Sequence, residues 1–366
     1  MALSDDGMSS VEDVGFGEQI GDSFKSILAG IGMLPLSIFM IFKVETCTQA
    51  SEAFKHAVPV TEKQEGKPIY VTGKLTASPI GNSFIRQGSY ISVSVSSEVY
   101  AWDEETKTEG SGSNKKKRKT CKLEWTSNPD NPSSFTLEEC KKKIAYKIPV
   151  KAETVYATNG KLTQDGTAYG VDLSKVSYTS DVKSETPTSD QIISNGYIPD
   201  GNYLYNRSDC DTNPTEGCQR IKLSTRPIPS EDMTFLGDLK SGNIDFYEYD
   251  DSKFLSASPG DFKEAMKDIK SDDSTMKWIG RILCFLVMWA SFVMMAGPMT
   301  TLLEYIPFVG DFGSGIIKFV LGALAFVITF VTIVLVKFWY IWLLILIGSI
   351  GFAIYTRKNQ QARGNS

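Results

Sequence analysis

At 366 residues the chain has room for about two domains. Its formal charge of −5, with no basic excess, argues against nucleic acid as the main partner, and one histidine with six cysteines is a thin inventory for metal or acid–base chemistry. The near-neutral average hydropathy hides a sharp segregation between a polar part and a lipid-soluble part.

Residues 1–24 are acidic and rich in Gly and Ser, without a basic n-region, so they do not read as an ordinary cleavable signal peptide. They read as a short, mostly flexible tail. Ile27 to Phe42 then supplies about 16 apolar residues, roughly 24 Å of helix, against a hydrocarbon core of about 27–30 Å. Lys25 and Lys43 flank the run and can snorkel to close the gap, which makes 25–44 a first transmembrane helix. The competing reading, a buried helix of a soluble domain, is not excluded by Gly30, Gly32 and Pro35, but the later spans favour the membrane.

From 45 to 277 the chain is polar and turn-rich, and its apolar residues alternate in short runs. Pro68–Ala77, Ser89–Trp102, Lys147–Ala157, Ala168–Tyr178 and Ile244–Tyr249 read as strands. Asn159-Gly160, Asp165-Gly166, Pro199-Asp200-Gly201 and Pro227 with Pro229 punctuate them. Lys240 to Pro259 reads as the last strand and loop of this β-rich domain. The tetrapeptide Gly-Lys-Leu-Thr occurs at Gly73 and again at Gly160, which allows two similar subunits of structure. Asp261 to Trp278 has Phe262, Met266 and Ile269 at helical spacing, a helix leading into the next span.

The block from Trp278 to Tyr355 is nearly all apolar. Residues 278–303 form a second span and 304–315 a loop. Ile316 to Tyr355 would make one helix roughly 60 Å long, twice a bilayer, so it must break. Lys337 is the cheapest place, because a charge at mid-bilayer costs roughly 2.5–3.5 kcal/mol. Trp339, Tyr340 and Trp342 suit an interfacial belt there. This gives a third span at 316–336 and a fourth at 338–355. The tail Arg357, Lys358 and Arg363 carries no acid, which by the positive-inside rule places it in the cytosol. With four spans the N-terminus lies there too, and the β-rich domain lies outside the cytosol.

Cys210 and Cys218 flank a Pro- and Gly-containing loop that a disulfide can close, and the sequon Asn206-Arg207-Ser208 sits just before it. Both features fit a lumenal domain. Cys121 and Cys140 are a second pair about which the sequence is silent, and Cys47 and Cys284 are expected to stay thiols. The basic run Lys115–Lys119, after a Gly/Ser stretch, reads as an exposed hairpin loop in preference to an import signal or an anionic-lipid patch.

No G-x-S-x-G, P-loop, G-x-G-x-x-G, H-E-x-x-H or C-x-x-C motif is present, and a histidine-based site would rest on His56 alone. The pairs Glu104-Glu105, Glu138-Glu139 and Asp272-Asp273 are adjacent in sequence and point apart on a strand or helix. A transport path needs polar groups at mid-depth, and only Ser291, Thr329 and Thr332 offer any. No cofactor and no enzyme activity is expected.

A series of short motifs in order resembles the transmembrane protein 43 family. It runs through Val71-Thr72-Gly73-Lys74-Leu75, Val99-Tyr100-Ala101-Trp102, Leu123-Glu124-Trp125, Asp200-Gly201-Asn202-Tyr203-Leu204-Tyr205, Arg220-Ile221-Lys222-Leu223, and Gly260-Asp261-Phe262. Lys277-Trp278, Gly297-Pro298 and a loop motif with Tyr305, Pro307, Gly310 and Asp311 complete it. Where the family often has an Asn-Glu-Gly-Arg-like turn, this chain has Lys43-Val44-Glu45-Thr46. The resemblance implies a multispan α-helical membrane protein with a large β-rich (α+β) lumenal domain. Its four transmembrane helices, one N-terminal and three C-terminal, leave both termini cytosolic or nucleoplasmic. It also implies residence in the endoplasmic reticulum membrane and nuclear inner membrane. The function implied is a self-associating scaffold for membrane protein complexes, in animals including emerin and lamins. An accessory subunit of a larger transport or energy-converting complex is the alternative.

Overall fold

The computed structural model describes residues 7–110, 114–304, 310–338 and 347–349. It divides into two compact units, one comprising Met1–Asp13, Thr48–Glu109 and Lys116–Ser274, the other Val14–Cys47, Gly110–Lys115 and the chain from Thr275 onward.

The first unit is β-rich. Its strands in chain order are β1 (Gly7–Asp13), β2 (Val58–Pro59), β3 (Ile69–Thr76), β4 (Tyr90–Glu109), β5 (Lys116–Thr126), β6 (Glu153–Tyr156), β7 (Gly160–Gln164), β8 (Thr167–Val171) and β9 (Ser177–Tyr178). They continue with β10 (Ile198–Asp200), β11 (Tyr203–Tyr205), β12 (Gln219–Pro227), β13 (Met233–Lys240), β14 (Asn243–Asp245), β15 (Tyr247–Tyr249), β16 (Ser252–Phe254) and β17 (Ser256–Pro259).

One sheet runs β1-β5-β4-β12-β11-β10, with β6 on the first part of β4. Along β4 the residues from Ile91 to Ala101 at every second position are buried, the period-2 pattern that fixes one face inward. Val93, Val95, Leu204, Ile221 and Leu223 form the core beneath. The second sheet runs β2-β3-β7-β8-β14-β13-β17-β9, and β3 also pairs with β13. That extra ladder closes β3, β7, β8, β14 and β13 into a ring, which leaves those strands no open edge. Ile69, Val71, Leu75, Leu162, Val171 and Phe235 fill it.

The two Gly-Lys-Leu-Thr segments are not copies of a repeated subunit. They are antiparallel partners, Lys74 opposite Thr163 and Thr76 opposite Lys161. The Thr163 carbonyl occupies the space a side chain at Gly73 would need, so this closure requires glycine.

Four further expectations change. The acidic tail expected to be flexible holds β1, paired with β5 from Gly7 opposite Lys122 to Asp13 opposite Lys116. The basic run expected in a loop is strand from Lys116 on, with β4 on its other side. Charge complementarity explains both: Lys116 lies 3.7 Å from Asp13, and Arg118 lies 3.3 Å from Glu109. Finally, the segment from Lys240 to Pro259 is broken into four short strands and the end of β13, and the strand expected over 147–157 shrinks to β6.

The second unit is helical. α1 (Phe16–Thr46) starts earlier than the span expected at 25–44. After it, α2 (Ala50–Ala53) belongs to the β-rich unit. α3 (Phe262–Met295) joins the expected amphipathic helix to the second span without a break. α4 (Gly297–Glu304) and α5 (Gly310–Lys337) follow. Among the described residues three helices are long and apolar enough to cross a membrane: those beginning at Phe16 and Phe262, and the one over Gly313–Lys337. Leu28, Phe39, Phe319, Phe326 and Phe330 stand exposed on them, as apolar side chains do when lipid is the solvent. The span expected at 338–355 lies outside the described residues except for Phe338 and Ile347–Ser349.

Candidate functional site

Several residues of the motifs behind the family resemblance, spread from Tyr100 to Arg220 in the chain, are gathered by the first sheet on one patch. Register sets Tyr100 opposite Trp125 across β4 and β5, Glu98 opposite Arg220 across β4 and β12, and Tyr205 opposite Arg220 across β11 and β12. The Arg220 guanidinium lies 4.4 Å from the Trp125 ring centroid and 4.6 Å from that of Tyr203, and its Nε donates to Glu98 at 2.6 Å. Trp125 meets Tyr100 at 5.4 Å and Tyr205 at 6.2 Å between centroids. Tyr205 is buried, and burial followed by its hydrogen bond to Asp211 pushes its hydroxyl above the ordinary tyrosine range. The other five side chains, Glu98, Tyr100, Trp125, Tyr203 and Arg220, are half-buried. Rigid aromatic rings with a fixed guanidinium, partly open to solvent, are the side chains that dominate protein–protein contacts.

A disulfide between Cys210 and Cys218, Cα atoms 5.6 Å apart, packs behind Tyr205. It holds the loop that donates Gly217 N–H to the Tyr100 carbonyl at 2.9 Å and accepts from Tyr100 N–H at 2.7 Å through Cys218. Asn206 is half-buried beside it. Its Oδ1 accepts from Gln219 N–H at 2.8 Å and its Nδ2 donates to the Gly217 carbonyl at 3.3 Å, so the sequon side chain works inside its own loop.

A second disulfide, Cys121 to Cys140, ties β5 to the segment after Phe135. Glu104 secures the same segment by accepting from the Thr136 N–H and hydroxyl. Burial pushes the Glu104 carboxyl up, but these bonds, one from Leu137 N–H and the nearby Lys119 outweigh it and hold the group below the ordinary range. Cys47 and Cys284 are in neither disulfide.

The adjacent carboxylates part company as expected on a strand or helix. Glu105 pairs with Lys107 and Lys122, at 2.9 and 3.1 Å, Asp272 accepts from Ser180, and Asp273 accepts from Ser51 N–H. A carboxylate group that sequence spacing hides is Asp103, brought beside Glu124 and Asp130. Burial first, then these two acids, raise its carboxyl above the ordinary range. His56 is exposed. Among the described residues no three His, Cys, Asp or Glu side chains gather where they could hold a metal ion.

In the helical unit, Arg281, Cys284, Met288, Ser291 and Met295 recur at three- and four-residue spacing on one stripe of α3. Glu45, with a side chain only 2 % exposed, receives Arg281 through Nε at 2.7 Å and Nη2 at 3.0 Å, with Lys277 at 3.7 Å. Gly30 lets α1 approach so closely that Ser291 Oγ donates to its carbonyl at 2.7 Å. Pro298 lacks the N–H that would bond the Met294 carbonyl, and the helix breaks at Ala296. Ser26 Oγ stands in, 3.0 Å from that carbonyl while also bonding Ser23 O. Gly297 packs against Ser26, and Gly322 admits Trp289, whose Nε1 donates to Lys318 O. Ala325 is buried in this interface and Ala323 is exposed. Gly310 and Asp311 open α5, whereas Tyr305 and Pro307 lie outside the described residues.

The family model described as Transmembrane protein 43 matches residues 99–342, well over half of the chain. No curated protein and no solved structure matches it. That match spans the aromatic patch, both disulfides and the apolar helices α3 to α5, and on it this integral membrane protein belongs to the transmembrane protein 43 family.

Proposed function

We propose that the protein is a non-enzymatic membrane scaffold that self-associates and organises membrane protein complexes of the endoplasmic reticulum and nuclear envelope. The observation that carries this reading is the half-buried patch of Tyr100, Trp125, Tyr203 and Arg220, braced by a disulfide. Such side chains lose little conformational freedom on docking. In this reading the patch receives partner ectodomains or a second copy. Emerin-like or lamin-like partners and the two membranes rest on the family resemblance alone.

The reading includes four spans, with Arg357, Lys358 and Arg363 in the cytosol and the disulfide-bearing domain in the lumen, where disulfides persist. This topology sets a condition on β1. A crossing by α1 puts Gly7–Asp13 across the bilayer from β5, so crossing and β1–β5 pairing exclude each other in a membrane. The crossing wins on energy: β1 offers one edge strand with exposed ion pairs worth about 0–1 kcal/mol each, while Ile27 to Phe42 has no charge to resist lipid.

Crosslinking in native membranes with identification of neighbours by mass spectrometry tests the function. Abundant links between copies, with reticulum or nuclear-envelope neighbours, are expected. Links confined to one defined complex at fixed stoichiometry would replace the scaffold by an accessory subunit.

A further inference from the structure

The first three turns of α3 sort their charges by face. Glu264, Asp268 and Asp272, four residues apart, are used by the β-rich unit: Glu264 accepts from Asp261 N–H, Asp268 from Ser258 Oγ at 3.0 Å, and Asp272 from Ser180 N–H and Oγ at 2.8 Å each. Lys263, Lys267 and Lys270 fall on another face, and with Lys55 they line a cavity of about 840 Å³ floored by Phe262 and Met266. Ser51 and Glu52 complete its wall. Phe262 is fixed by stacking on Tyr70 at 4.2 Å between centroids. All four lysines are exposed, and among the described residues none has an ion pair, although Lys63, Lys74, Lys122 and Lys277 elsewhere do.

We propose that this cavity binds the phosphate headgroup of an anionic phospholipid, with the upper part of an acyl chain on Phe262 and Met266. Four ammonium groups without an ion pair around an apolar floor match an anionic amphiphile. Glu52 is the one acid in the lining, and Lys267 also borders a neighbouring pocket that holds Asp181, Glu231, Glu264 and Asp268. Chain continuity favours a lipid over free phosphate. α2 begins four residues after α1 ends, and Lys270 precedes Trp278 by eight residues of one unbroken helix, about 12 Å of rise. The α2 wall of the cavity is therefore the first helix after one apolar span, and the α3 wall lies about 12–24 Å of helix before another.

The test is native mass spectrometry of the full-length protein in detergent, titrated with dioleoyl phosphatidic acid, dioleoyl phosphatidylcholine or inorganic phosphate. Phosphatidic acid is expected to bind at least about tenfold more tightly than phosphatidylcholine. The combined variant K55Q/K263Q/K267Q/K270Q is expected to lose that preference. A control variant, K161Q/K175Q/K240Q, removes the three lysines of a different cavity and is expected to keep it. Should the combined variant fail to fold, K267Q and K270Q singly are expected to weaken binding severalfold at an unchanged unfolding midpoint. Equal binding of the two lipids, or wild-type binding by the folded Lys variants, would overturn the proposal. Complete displacement of phosphatidic acid by equimolar inorganic phosphate would overturn the lipid as the source of the headgroup.

Discussion

Glu45 shows how much one side chain can decide. It is a carboxylate almost without solvent, and its bidentate partner Arg281 lies on another helix. Removing one partner of a buried pair leaves an uncompensated charge, at a cost of about 3–5 kcal/mol. R281M leaves Glu45 only Lys277, 3.7 Å away, and is expected to lower stability in bicelles by about 3 kcal/mol, and E45Q/R281M to recover most of it. Denaturant midpoints measure this; a double variant as unstable as R281M would show that the pair does not act as a unit. Asp103 gives the opposite case, a carboxylate that folding disfavours. Its folded pKa is raised above the unfolded value, so its contribution to stability is present below the ordinary carboxylate pKa and is lost as pH rises through the folded one. D103N is thus expected to raise the unfolding midpoint at about pH 7 and to lose that gain below about pH 4, near the unperturbed value. A gain independent of pH would rule out the charge as its cause. Neither residue stands out in the sequence, because the partners of Glu45 are more than two hundred positions away and Asp130 is separated from Asp103 by a whole hairpin.

At the scale of elements, periodicity made much of the architecture legible. The alternation from Ile91 to Ala101 marks β4, and Phe262, Met266 and Ile269 mark the start of α3, because both patterns report which face is buried. Charge runs were not legible that way. Lys115–Lys119 looks like a loop until the end of β4 with Glu109 is paired with it, and that partner is chosen by tertiary structure. The pairing of β1 with β5 supplies a test of topology. Ser9 and Thr120 are register partners, so a chain carrying S9C and T120C can form a disulfide only while β1 lies on β5. No such crosslink is expected in sealed native membranes, where α1 crosses, and its appearance is expected after detergent extraction. Quantitative crosslinking in the membrane would put both segments on one side and remove the crossing.

For the whole molecule, the division into an apolar part and a β-rich part was plain from hydropathy, since lipid and water select such different residues. The aromatic patch was not. Its members were visible as separate motifs, but only the strand order β5-β4-β12-β11 brings Trp125, Tyr100, Arg220 and Tyr203 together. If that patch joins copies of the chain, self-association belongs to the folded molecule in its own membrane. The most direct measurement is co-isolation: two differently tagged copies are expressed together, extracted into native polymer nanodiscs, and purified through one tag. The second tag is expected in the eluate of the wild type and is expected to fall at least about fivefold for Y203A, with unchanged membrane insertion. Wild-type discs holding a single copy would contradict the scaffold account.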